Sequence, residues 1–438
     1  MTIVELPAAA DDQTETLQQA IDAAAARGGG TVSLAAGRHL CGPLRLRGGI
    51  TLEIQKNALL VLDANYDRLL PNTVSVVAEG SDRALIVAQG QHGVTIRGEG
   101  DIVAPGRTFV VGEDPEAGTH LPATLRPRVL VVEDCTDVNI EGVRIVDSPM
   151  WTVHLVGCAN VRVCNLRIDN DLRLPNTDGI VVDSCRDVEI EGVDISTADD
   201  GVCLKTTRRT TGIGRIANVS VRRCKVRSRS CALKVGTETF GDITGVVFED
   251  CEVVDSNRAL GIFSRDGGAI SGVRFSRIAV ECRETPIGFW GSGEAITVTS
   301  VDRRSELPAG QVSNVVFNDI SGSMEGAINL VGTGAAGIHD IRLDRVELTQ
   351  SPGQLGTARS YDLRPTAADL ALNPRNRGRA NAWSKDSTGQ VVGLVAYPTG
   401  LPAVFARGVT GLMMNAIQIR RPQPSPEGWA RDLFDLRQ

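Results

Sequence analysis

The 438-residue chain is long enough for two or three ordinary domains or for one large repetitive one. With 42% apolar and 23% charged residues its composition is that of a soluble globular protein; no run of about 18 apolar residues exists to span a membrane. A net charge of −7 argues against nucleic acid as a partner, although local basic clusters leave an acidic glycan open.

The first residues, MTIVELPAAADD, lack the basic region and apolar core of a secretory signal. The expected location is cytoplasmic, or periplasmic or secreted if a leader precedes this sequence. TETLQQAIDAAAARGGG then predicts a short helix within residues 12–30. Thr14 or Thr16 would cap it, Leu17, Ala20, Ile21 and Ala24 would form its apolar stripe, and Gly28 to Gly30 would end it. Its expected job is to plug the open end of a stacked β-structure, because exposed sheet edges invite aggregation.

From residue 31 to about 350 a loose repeat takes over. An apolar position followed by period-2 alternation, as in Val138-Asn-Ile140, recurs at Val161, Val188, Val219, Val246, Val273, Val315 and Ile341. Earlier copies lie near Leu52 and Val94, and a late one starts at Leu412. Alternation marks half-buried strands, and a fixed short strand with variable spacing marks a solenoid whose loops grow on some sides only. The predicted architecture is all-β: a single right-handed parallel β-helix with a short N-terminal capping helix. Residues 350–400 break the repeat with Pro, Gly, Asn and Arg and read as a loop insertion; 401–438 supply the last strands and tail.

The ten cysteines follow the repeat. One slot holds Cys135, Cys158, Cys185, Ile216, Ile243, Ile270, Val312 and Ile338; another holds Val143, Leu166, Val193, Cys224, Cys251, Ile278, Ile320 and Val346. Cysteine alternating with aliphatics predicts small buried hydrophobes rather than disulfides or a metal site.

The chemistry is expected in PNTDGIVVDSCRDVEIEGVDISTADDGVCLKT. Asp178-Gly-Ile-Val-Val aligns with Asp200-Gly-Val-Cys-Leu, so the two aspartates should stack about 4.8 Å apart on neighbouring turns, with Asp199 beside them. Asn-Thr-Asp-Gly and Asp-Asp-Gly are each ordinary turn sequences taken alone. In register they crowd three carboxylates together, and at least one pKa should rise. A protonated acid beside ionised carboxylates is what glycoside hydrolysis uses.

These motifs resemble two signatures of glycoside hydrolase family 28, the polygalacturonase family: NTDG at 176–179 and ADDGVCLK at 198–205. The likeness extends to residues 28–54, 126–161, 231–239 and 361–365. It implies a pectin-degrading glycosidase without cofactor or metal that acts by inversion. Asp199 would be the general acid, Asp178 and Asp200 would hold and deprotonate water, and Asn176 would orient the site. Two departures fall at substrate recognition. Ser230 stands where the family's Gly-His-Gly has His, and Gly261 and Phe263 replace the Arg and Lys of its Arg-Ile-Lys. The expectation is a pectic substrate with altered specificity, a rhamnogalacturonan or neutral-sugar unit, unless Arg265, Arg258 or Lys234 supplies a displaced clamp.

Further substrate-binding candidates are Lys205 and Lys234, two of only five lysines, together with Glu238, His154 and Trp290; Trp151 reads as packing. Long loops at 109–125, 283–312 and 350–400 would close one end of the cleft and favour attack from a chain end. The competing readings are a polysaccharide lyase whose carboxylates hold calcium and a non-catalytic glycan-binding β-helix of the adhesin or tailspike kind. Oligomeric state is open.

Overall fold

The computed structural model describes residues 3–115, 117–286, 289–367 and 384–437. Short parallel strands wind into a β-helix, and the repeat read from sequence is its register. Val138 pairs with Val161, Val161 with Val188, Val188 with Val219, and the frame continues unbroken through Val246, Val273, Val315 and Ile341. The late copy also stacks, with Leu343 on Met414 and Val346 on Ile417. Among the described residues no helix is long and apolar enough to cross a membrane.

Each turn bends at the residue before the frame start. Asp137, Asn160, Asp187, Asn218, Asn314 and Asp340 all hold φ between 52° and 56° there, and Gly245 and Gly272 hold 63°. Asn, Asp and Gly are the residues that tolerate this left-handed backbone. Stacked bends also bond to one another, as when Asn218 Nδ2 donates to Asp187 Oδ1 at 2.7 Å.

The interior is one continuous column of stacked apolar side chains. Phe248, Phe275 and Phe317 lie face to face, with ring centroids 4.6 and 4.9 Å apart. All ten cysteines are free and buried. Cys135, Cys158, Cys185, Cys224 and Cys251 sit in the column as expected, but Cys203 and Cys231 do not belong to it, and the Cys203 thiol lies within 4.8 Å of the Asp178 and Asp200 carboxylates.

The capping helix α1 spans Thr14–Ala26 and buries Leu17, Ile21 and Ala24. Its entry is fixed by Asp12, whose carboxylate accepts from the Thr14 amide at 2.8 Å, and not by a Thr14 or Thr16 cap. Gly29 N–H donates to Ala24 O at 3.0 Å and closes the C-terminus. Two strands ahead of the helix, Ile3–Leu6 and Ala9–Asp12, pair with the first turn; no sequence pattern marks them. In the 350–400 insertion, Ser360–Asp362 pairs antiparallel with Leu394–Ala396, and residues 368–383 lie outside the described residues.

One of the parallel sheets carries the site. Its strands Arg128–Glu133, Val153–Val156, Ile180–Asp183, Val202–Thr206, Cys231–Thr239, Arg258–Ser264 and Ile296–Ser300 follow in order. Two additions flank it: the hairpin strand Thr73–Ala78, which folds back on Ser81–Gln89, and the loops after residue 283.

Candidate active site

The register of this sheet stacks Ile180 on Val202 and Val182 on Leu204. Asp178 and Asp200 therefore enter it at the same level, and Gly179 N–H donates to Asp200 O at 2.9 Å. The glycine after each aspartate is required by close approach. A Cβ on Gly179 would stand 2.6 Å from Gly201 O, and one on Gly201 would stand 2.3 Å from Val226. Asp178, Asp199 and Asp200 are 3%, 4% and 2% exposed and line one cleft of about 300 Å³, at the lower end of ~300–1,000 Å³ for small-molecule sites.

The three carboxylates are held differently. Asp200 accepts from Lys234 Nζ at 2.6 Å and from the Ser230 hydroxyl at 3.0 Å. Asp178 has Lys205 Nζ at 4.0 Å as its one ion-pair partner among the described residues, and the Lys234 charge also acts on it from further away. Asp199 accepts from the backbone amides of Asn176 and Asp200 at 3.2 and 3.1 Å. The expected rise in pKa falls on Asp178, which burial and then the Asp199 and Asp200 charges push well above the usual carboxylate range. Around them the charges interlock. Glu238 lies 3.3 Å from Lys205; burial pushes it up, but Lys205, Arg303 and Lys234 outweigh this and hold it down to about 2.

Ligand atoms of Asp178, Asp200 and Cys203 lie within 4.8 Å of one another. Calcium takes about 6–8 oxygen ligands, whereas here a thiol supplies one corner and an ammonium already bonds Asp200. The donor set fits a hydrogen-bonded proton site better than a cation site.

Most candidate residues converge. Asn176, Lys205, Lys234, Glu238 and Trp290 line the cleft, and Trp151 lines it too, with Lys205 Nζ 4.1 Å above its ring. Ser230 does not line it but supports Asp200 from behind. Two candidates are corrected. His154 is fully buried, bonded to Arg128 at 3.0 Å on Nδ1 and 3.5 Å from Asp183 on the other nitrogen. Burial drives its pKa down to about 4, so it is a neutral structural histidine. Arg265 is equally buried and donates to the carbonyls of Ser264, Thr299, Leu363 and Pro365; it anchors the loop that carries Arg364 and cannot clamp a substrate. Of the three long loops, no described residue of 109–125 lines the cleft, while 283–312 supplies Trp290 and Arg303 and 350–400 supplies Arg364 and Pro365.

Four contributors escape sequence reasoning. Arg126 donates to Pro149 O, Pro175 O and Asn176 Oδ1 at 2.6 to 2.9 Å and so sets the turn that presents Asp178. Glu79 reaches the cleft from the hairpin tip, about a hundred residues away in sequence. Arg303 and Arg364 arrive on loops whose path no local pattern encodes. The replaced clamp has a simple packing logic. Phe263 folds over Gly261, where a Cβ would stand 2.4 Å from its ring, and Lys234 and Arg258 lie 5.5 and 5.0 Å from the ring centre.

A family model described as "Glycosyl hydrolases family 28" matches residues 34–360. The chain belongs to this family. An endo-polygalacturonase of Pectobacterium carotovorum is 25% identical over 78% of this chain and 86% of its own length. Among solved structures, an exopolygalacturonase from Thermotoga maritima superposes with a TM-score of 0.64 at 23% identity, covering 80% of this chain and 87% of that one. A family 28 exopolygalacturonase of Yersinia enterocolitica gives 0.66 at 14% identity, covering 99% of this chain and 78% of that one. The architecture is thus the right-handed β-helix of polygalacturonases, and this family 28 protein is a glycosidase of the polygalacturonase type.

Proposed function

We propose that this family 28 glycosidase hydrolyses pectin-derived poly- or oligosaccharides by inversion, working from a chain end, with a neutral unit such as rhamnose over Phe263. The observation that carries the reading is the unequal setting of three buried aspartates at one level of the sheet. Asp178 and Asp200 have oxygens within 4.8 Å of each other, a span one water can bridge. Ionised Asp200, held by Lys234 and Ser230, orients that water together with Asp178, and the pair takes its proton once Asp178 too is ionised. Asp199 delivers a proton to the glycosidic oxygen on the opposite side of the bond. Water attack on one face with protonation on the other gives inversion.

Attack from a chain end is supported by the cleft's two walls, hairpin residues Val77 to Glu79 on one side and Trp290, Arg303 and Arg364 on the other. A neutral unit over Phe263 is supported by the pairing of the nearby cations: Lys234 with Asp200, and Arg258 with Glu294 and Asp362. The pectic substrate is also supported by the polygalacturonases among the relatives. The test is product analysis by mass spectrometry on polygalacturonate, rhamnogalacturonan and neutral-capped oligosaccharides, with Asp199→Asn run beside wild type. Single-unit products of inverted configuration that vanish in the variant are expected; equal cleavage by the variant would sink the assignment.

A further inference from the structure

The proposed chemistry leaves one acidic side chain of the cleft unused. Glu79 sits at the tip of the hairpin formed by Thr73–Ala78 and Ser81–Gln89, with a left-handed φ of 48°. The hairpin is firmly seated. Val74 and Val76 pack against Val87, Val131 and Val156, and Ala78 packs against Met150, Trp151 and Val181. Arg128, itself buried, donates to Val76 O at 2.6 Å and to Ser81 O at 3.2 Å, one carbonyl on each side of the tip. The hairpin tip is therefore held in place, and Glu79 lines the same cleft as the three aspartates.

Every other acid lining the cleft has a partner: Lys205 for Asp178 and Glu238, Lys234 for Asp200, the Asn176 amide for Asp199. Among the described residues, none forms a hydrogen bond or ion pair with the Glu79 carboxyl. Four charged groups face it. Arg126 precedes strand Arg128–Glu133, Asp199 and Lys205 belong to the turn of strand Val202–Thr206, and Glu238 comes from strand Cys231–Thr239. On its own hairpin, Asp82 and Arg83 pair with each other at 3.8 Å. Burial first, then the Asp199 and Glu238 charges, push Glu79 up to about 7 against the pull of Arg126 and Lys205.

We propose that Glu79 selects the substrate by donating its carboxyl O–H to a uronate carboxylate of the pectic chain, so that the acid form of the protein binds anionic substrate and the ionised form repels it. This rests on the pectic reading of the site. The described cations of the lining are each bonded to a carboxylate already; a neutral carboxyl needs no counter-ion and makes a short, strong bond to a carboxylate. No bond is broken and only the position of one proton matters. A uronate beside Glu79 and a neutral unit over Phe263 together describe an alternating acidic and neutral chain.

The test is calorimetric titration of the Asp199→Asn protein with trigalacturonate and with its C6-reduced, neutral analogue between pH 5.5 and 8.5, with and without Glu79→Gln. Affinity for the uronate should fall about tenfold over two pH units as the binding-competent form is depleted, with the midpoint lowered somewhat by loss of the Asp199 charge. The neutral analogue should show no such fall, and Glu79→Gln, a permanent uncharged donor, should bind the uronate equally across the range. A pH-independent affinity in the parent, the same fall in Glu79→Gln, or the same fall for the neutral analogue overturns the proposal. Absence of uronate binding at every pH overturns it too, yet leaves the glycosidase reading standing if a neutral glycan is still cleaved in an Asp199-dependent way. Thermal melts of both proteins guard against a folding defect.

Discussion

The cleft sheet has two faces built on the same strands, and they obey different rules. Inward, Leu130, Val153, Ile180, Val202, Leu233, Leu260, Ile296 and Ile328 stack one on another. One residue further along each strand, the outward row runs Val131, His154, Val181, Cys203, Lys234, Gly261, Thr297 and Asn329. The inward residue meets the same surroundings in every turn, so any aliphatic of similar size serves. The outward residue meets whatever loop or hairpin lies over it, so its surroundings change from turn to turn: Trp151 beside His154, Asp200 beside Lys234. Stability is spread over the first row; chemistry is concentrated in the second.

The largest effect that would break this division lies outward. Asp199→Asn should lower kcat by about 10²–10⁴-fold, the usual worth of a positioned proton donor, while thermal unfolding stays near that of wild type. Hydrolysis rates beside a melting curve check both halves. A variant that lost activity only by unfolding would show that the outward row also carries the fold. Next comes the inward counterpart. Phe275 is sandwiched between Phe248 and Phe317 with rings within 5° and 6° of parallel. Phe275→Ala should cost about 3–5 kcal/mol, read from chemical denaturation, with kcat of the folded fraction unchanged.

How far the sequence disclosed each face depends on the same division. The inward frame was legible because one pattern repeats at Val138, Val161 and Val188 and every copy confirms the last. The stacking of Asp178 on Asp200 was legible because Asp-Gly followed by an apolar run occurs twice in register. The outward partners were not. His154 stands one turn from the aspartates but is covered by Arg128, and Arg265 points its guanidinium into loop carbonyls. Glu79 and Arg364 reach the cleft over long stretches of chain, and their surroundings exist only once the hairpin and loops have folded over the sheet. The clamp replacement at Gly261 and Phe263 could be read as a loss, but not as a ring folded over the glycine.

A smaller effect sharpens the outward rule. Asp178 is raised by burial and by Asp199 and Asp200, and Lys205 opposes the rise. If Asp178 must be ionised to take a proton from water, activity falls as pH drops through its raised pKa. Lys205→Met removes the stronger of the two opposing cations, the other being Lys234, so the acid limb of the kcat/KM profile should move to higher pH. The sign for stability is the reverse of the usual carboxylate case. A folded-state pKa above the unfolded one means the acid form favours folding, and stability is lost as pH rises through the folded value. Asp178→Asn should therefore raise the melting temperature at neutral pH while abolishing turnover. A lower melting temperature would mean that the ionised carboxylate is compensated more fully than Lys205 at 4.0 Å and the more distant Lys234 suggest.

The smallest expected effect tests the inward rule at its most permissive. Cys185 occupies a column slot that Ile216, Ile243 and Ile270 fill in later turns. Its thiol donates to Asp183 O at 3.2 Å and accepts from the Cys158 amide at 3.2 Å, contacts too weak for the slot to depend on. Cys185→Val should change stability by less than about 1.5 kcal/mol, as volume-conserving core swaps do, and leave kcat/KM untouched. Cys203→Val is the same chemical change on the outward face, where the thiol bonds Gly236 O at 3.0 Å and borders Asp178 and Asp200. There the added methyl presses on the carboxylate pair, so its effect should appear in the pH profile and in kcat more than in the melting curve. If both substitutions registered only as stability changes, Cys203 would belong to the column after all, and the separation of the two faces would start one turn later than the register places it.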